Sequence, residues 1–190
     1  MAQRAEQSRA VEKRESILRA ATEILLAEGL REVTHRQVAA RAGVPVGSIG
    51  YYYASREKLL MTCLTRMAEH RAIIAAEQLE QASPDDGDVL VARRLVDSLT
   101  AGRTQDLPGL IGVLIDGLRE PGELPALMIE LYAESMVSAE KILDASGVSR
   151  DAMDGILDTL MGTILRSRLE THDTHPSVVE AAAMVIARHR

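Results

Sequence analysis

Within one short stretch the chain carries Thr34-His35-Arg36, then Pro45-Val46-Gly47-Ser48, then Tyr51-Tyr52, with Arg56 and Lys58 just beyond. Hydroxyl, guanidinium, ammonium and phenol groups hydrogen-bond phosphate oxygens. Arg, Ser and a small apolar residue such as Val46 can also meet base edges, so the chemistry on offer is nucleic-acid recognition. The chain has no Phe or Trp and only four Tyr, yet three of those stand in a row at 51–53. Two readings are open: the rings plug the core of a small helical domain, or some of them face outward to a ligand. We expect the first for Tyr53 and the second for Tyr51 and Tyr52. The alternative for Thr34, His35 and Arg36 is a helix cap followed by two solvated side chains.

Other chemistry is thin. His172, Asp173 and His175 suggest a metal, but they lie in a short connection before Pro176 with no evident further ligands, so no metal site is expected. The single cysteine, Cys63, excludes an intrachain disulfide. No phosphate loop, nucleophile elbow or His-Glu-x-x-His motif is present, which argues against an enzyme; no catalytic residue and no cofactor are expected. No apolar run reaches the roughly 18 residues of a membrane span, and the N-terminus lacks the apolar core of a signal peptide. A cytoplasmic protein with no membrane partner is expected. The net charge of −6 divides unevenly: residues 1–60 hold 10 Lys and Arg against 7 Asp and Glu, and residues 61–190 hold 12 against 21. A basic head can approach phosphates where an acidic body cannot.

The elements that must position these groups read as helices throughout, about nine of them, in an all-α fold. Ile17, Leu18, Ala21, Ile24 and Leu25 follow helical spacing from about 9 to 28, ending at Gly29. Thr34 suits the N-cap of a second helix, with Gln37 at the capping-box position, Val38 and Ala39 inward and Gly43 as its stop. Pro45 suits the start of a third, to about Tyr52. Longer helices are expected over 55–81, 88–101, 107–119, 123–145, 149–171 and 176–189, separated by Gly- and Pro-containing breaks. Residues 1–60 would form one domain, with 1–8 as a loose arm, and 61–190 a larger helical one.

A short helix, a turn at Gly43 and a second short helix make a helix-turn-helix, whose second helix enters the major groove. At this point "ILRAATEILLAEGLREVTHRQVAARAGVPVGSIGYYYASREKLL" resembles the N-terminal domain of the tetracycline-repressor (TetR) family of bacterial regulators. The resemblance covers about residues 14–60. It implies DNA contacts from Thr34, His35, Arg36, Pro45, Val46, Gly47, Ser48, Tyr51, Tyr52, Arg56 and Lys58. It also implies a homodimer on a double-stranded DNA operator, released by a small molecule. Two departures stand out. Gly50 falls where the family has its first aromatic, and Pro45 and Val46 fall where many relatives carry a polar residue. They leave a second reading open: a helical ligand-binding or scaffold protein that has lost specific DNA binding.

In the body, the helix over 107–119 is apolar nearly all round and is expected to be buried. The helix over 123–145 has two apolar faces and could wall a pocket, with Met67, Leu114, Met128, Tyr132, Ser135, Met136 and Met161 as lining residues. Few aromatics and no cationic cluster on the buried faces of those two helices point to a small apolar or weakly polar effector. Small residues on the last two helices, Gly155, Gly162, Ala182 and Val185 among them, are compatible with the close helix approach that the family uses for its dimer.

Overall fold

The computed structural model describes residues 2–169 and 176–190, so His172, Asp173 and His175 lie outside the described residues. Within the described residues the chain is all-α, with no strand. The helices are α1 (Ala2–Ala27), α2 (His35–Ala42), α3 (Val46–Tyr52), α4 (Arg56–Gln81), α5 (Asp88–Thr100), α6 (Leu107–Gly117), α7 (Leu124–Ala145), α8 (Ala152–Leu169) and α9 (Val178–Ile186). Short 3-10 turns at Leu30–Glu32 and Thr104–Asp106 precede α2 and α6. Residues 2–8, expected as a loose arm, instead continue α1, in keeping with the helix-forming Ala, Gln, Arg and Glu found there. Packing defines two compact units. One comprises the residues up to Met67 with Gly109–Glu130, the other Ala68–Pro108 with Leu131–Arg190.

In the first unit the apolar stripe of α1 is the core. Ile17, Leu18, Ala21, Ile24 and Leu25 are at most 4% exposed, and Val38, Ile49, Leu59 and Leu60 of the same unit are fully buried. Burying side chains of this size contributes about 1.5–3 kcal/mol each before entropy is set against it. Helix α6 comes close to the C-terminal end of α1: a Cβ on Gly109 would lie 3.0 Å from the Leu26 carbonyl carbon and closer still to its oxygen. Only a residue without a side chain permits that approach. α6 is not buried all round as its composition suggests. Val113 is covered, while Ile115 and, just beyond the helix, Leu118 stay 44% and 45% exposed. One flank of this short helix is enough to fill the space over α1. Cys63 is 1% exposed in this core, and burial pushes its thiol up to about 11 against a weaker opposing pull from Thr22.

The second unit is built around α9, which packs on α5 and α8. Ser177 starts α9 with a reciprocal capping box: its hydroxyl accepts from Glu180 N, and the Glu180 carboxylate accepts from Ser177 N. A Cβ on Gly155 would come 3.3 Å from Val185 Cγ1, and Ala182 is fully buried. Gly155 and Val185 therefore bring α8 and α9 close within one chain, with Ala182 buried. Arg94 of α5 is 8% exposed. Its guanidinium donates to Asp86 Oδ2 at 2.9 Å and to the Gln78 and Gln81 side-chain oxygens at 3.3 Å each, joining the end of α4, the following loop and α5.

Candidate nucleic-acid interface

The reading head is set by three local devices. Thr34, extended at φ −114° and ψ 154°, accepts a hydrogen bond from Gln37 N through its side chain at 3.2 Å, which starts α2. A cap of this kind is worth about 1 kcal/mol. Gly43 stops α2 in the left-handed conformation, φ 66° and ψ 33°, which a side chain would resist. Pro45 then occupies the N-cap of α3 at φ −60°, and its carbonyl accepts from Ser48 N at 2.9 Å. Helix α3 is pinned from beneath. Ile49 is fully buried, Tyr53 is 4% exposed, and Tyr53 N donates to Ile49 O at 2.8 Å. Tyr53 has the buried place expected for it, and burial, against a smaller pull from Arg14, raises its hydroxyl pKa.

The opposite side of α3 is open. Val46 is 51% and Tyr51 84% exposed, and Gly47 and Gly50 are exposed too. A Cβ on Gly47 or Gly50 would meet nothing within 4 Å, so the protein's own packing does not require glycine at either place. Tyr51 and Tyr52 stack edge to face, ring centroids 5.1 Å apart and planes at 86°, with Tyr52 half-buried. Such a pair is worth about 0.5–1.5 kcal/mol beyond its area. Ser48 is half-buried on the same helix. On α2, Arg36 is exposed and forms no ion pair among the described residues. His35 is turned inward, and its Nε2 is buried with no partner among the described residues.

The other two expected cations are placed differently. Arg56, partly exposed, is tied within its own unit: Nε donates to Val33 O at 2.9 Å, Nη2 to Leu30 O at 2.7 Å, and Nη1 pairs with Glu120 at 2.9 Å. A guanidinium held on three sides braces the head. Lys58 pairs with Glu123 at 2.8 Å, and that carboxylate raises its pKa. Between them, Glu57 accepts from Glu123 N at 2.7 Å. Three consecutive residues of α4 thus hold the 120–123 segment. Sequence reading missed this tie, and its signal was the pair of acids in "EPGE".

The second unit holds a cleft of about 40 Å3 between α4, α5 and α7, lined by Arg71, Ala72, Ala75, Ser98, Leu131 and Ser135 among others. Of the residues expected to line a pocket, Ser135 alone does so here. Met67, Leu114 and Met128 belong to the first unit, where Met128 is 5% exposed and lies against Gly117 as core filling. Tyr132 and Met161 are 41% and 45% exposed, and Met136 is half-buried elsewhere on α7. Arg71 and Glu134, the two charged groups of the cleft, were not anticipated.

Residues 17–62 match the sequence model of the family described as bacterial regulatory proteins, tetR family. A stretch of 71 residues is 39% identical to an uncharacterized HTH-type transcriptional regulator in the dhlA 5' region of Xanthobacter autotrophicus, covering 33% of this chain and 35% of that protein. The match therefore spans about a third of that curated relative. Two solved structures are alike over nearly the whole chain. The multidrug binding protein EbrR complexed with imidazole is 26% identical, over 93% of this chain and 89% of that one, with a TM-score of 0.62. A member of the TetR family from Streptomyces coelicolor A3 is 27% identical, over 93% and 96%, with a TM-score of 0.64.

Proposed function

We propose that the chain is a member of the tetR family of bacterial regulatory proteins, whose model it matches over residues 17–62, and that it is a ligand-responsive, DNA-binding regulator of transcription. In this reading it is a cytoplasmic repressor that leaves a pseudo-palindromic operator when a small molecule binds. Residues 1–60 carry the DNA-binding function, and 61–190 effector binding and dimerisation. The observation that carries the reading is the outer surface of α3, where Val46, Gly47, Gly50 and Tyr51 are exposed and Gly47 and Gly50 answer no internal packing need. Their freedom suits a backbone that must come close to a groove. Thr34, Arg36, Ser48, Tyr51 and Tyr52 are the contacts we assign, with Lys58 available once it parts from Glu123.

Fluorescence anisotropy on the DNA flanking the protein's own gene tests this. Binding is expected to be specific and to weaken steeply with salt, because phosphate contacts release counterions. Tyr51→Phe is expected to lower affinity for all sequences alike, as loss of a phosphate contact does. Arg36→Ala is expected also to relax specificity, by about 1–3 kcal/mol if it reaches a base. Equal affinity for operator and scrambled duplex, or two variants as tight as the parent, would put the docking face elsewhere.

A two-headed reader needs two copies. Supporting a homodimer is the stripe Met161, Leu165 and Leu169 on α8, spaced four apart and 45%, 61% and 73% exposed, with Met184 on α9 at 52%. Gly162 lies beside it, and a Cβ there would meet only Arg166 of its own helix within 4 Å. Leu165→Arg would bury an unpaired charge in that contact, a change that costs several kcal/mol. Sedimentation is expected to show monomers with weakened operator binding. A Leu165→Arg protein that remains dimeric would move the interface off α8.

A further inference from the structure

Arg71 is the point from which the cleft in the second unit can be understood. Its guanidinium forms no ion pair or side-chain hydrogen bond among the described residues, although Glu134 lines the same cleft. Burial pulls its pKa below the ordinary arginine value, and no neighbouring charge opposes this. A half-buried guanidinium without a partner is costly, and an anion on it removes the cost. The three serines of the cleft use their hydroxyl hydrogens on their own helices: Ser98 donates to Leu95 O at 2.7 Å, Ser135 to Leu131 O at 2.9 Å and Ser138 to Glu134 O at 3.1 Å. What they present to a ligand is acceptor lone pairs, which do not welcome a second negative charge. No other cation lines the cleft. Ala72, Ala75 and Leu131 supply apolar wall, and the space of about 40 Å3 admits only a short chain.

We propose that this cleft is the effector site and that its ligand is a short aliphatic monocarboxylate, with the carboxylate on Arg71 and the hydrocarbon part against Ala72, Ala75 and Leu131. The assignment rests on the regulator reading above, and it replaces the small apolar or weakly polar effector expected from sequence with an anionic one.

The test is calorimetric titration of the full-length protein with sodium butyrate and, separately, with butyramide, which has the same shape without the charge. Butyrate is expected to bind saturably, and butyramide at least about tenfold more weakly, the loss of one charge-assisted contact. Arg71→Met is expected to weaken butyrate by a similar factor and to leave butyramide unchanged. Equal binding of acid and amide, no binding of butyrate, or an unaffected Arg71→Met protein would each overturn the assignment. If Arg71→Met does not fold, the acid–amide pair on the parent protein decides alone. Operator binding on the same preparations separates the two layers. Butyrate that binds without releasing operator removes the cleft's role as effector site. A protein that takes up butyrate but binds no operator overturns the regulator reading and leaves the cleft chemistry standing. One that binds its operator but no butyrate overturns the ligand assignment alone.

Discussion

Exchanging Arg94 for Met is expected to cost about 3–5 kcal/mol of stability, because one partner of a nearly buried ion pair is removed and the other stays behind. The side chains of Arg94 and Asp86 are 10% and 12% exposed. Without the guanidinium, the Asp86 carboxylate keeps, among the described residues, only the hydrogen bond from Ser83 N at 3.2 Å. The side-chain oxygens of Gln78 and Gln81 lose a donor as well. Urea unfolding at a fixed protein concentration reads the effect as a lower midpoint. Asp86→Asn in the Arg94→Met background is expected to recover part of the loss, since the stranded charge is then gone. A midpoint unchanged by Arg94→Met would mean that the end of α4, the loop and α5 are held by apolar packing alone.

The second large effect is at Gly109. Gly109→Val is expected to destabilise by at least about 3 kcal/mol, the upper part of the range for overpacking. The obstacle is the Leu26 backbone, which cannot swing aside as a side-chain end can. Gly112 is the internal control, three residues on in the same helix. A Cβ there meets nothing within 4 Å, so Gly112→Ala is expected to stabilise by up to about 1 kcal/mol through helix propensity. Thermal unfolding of the two variants is expected to move in opposite directions. Two shifts of the same sign would show that α6 does not rest on the end of α1.

What could be read from the sequence was what short-range rules govern. Thr34 as a cap, Gly43 as a stop and the α1 stripe depend on residues a few positions apart, and each is where local chemistry puts it. So is the buried place of Tyr53, because the spacing of α3 sets which side faces in. What could not be read depends on partners far along the chain. Arg56 and Lys58 match a DNA-contacting pattern, yet their acids stand at 120 and 123. The small residues Gly155 and Ala182 announce close helix approach, but composition does not say whether the other helix belongs to the same chain. Arg71 looks like any helix-surface arginine until α5 and α7 are placed around it.

The chain's one thiol has a consequence for its redox chemistry. Burial pushes the Cys63 thiol up to about 11, so near neutral pH the thiolate, the form that oxidants and alkylating agents attack, is scarce. Burial lowers the reactive fraction and blocks access together. Modification at Cys63 must then wait for the surrounding helices to part. The side chain is a built-in tally of transient openings in the first unit, recording excursions from the native state and not the oxidising power of the surroundings.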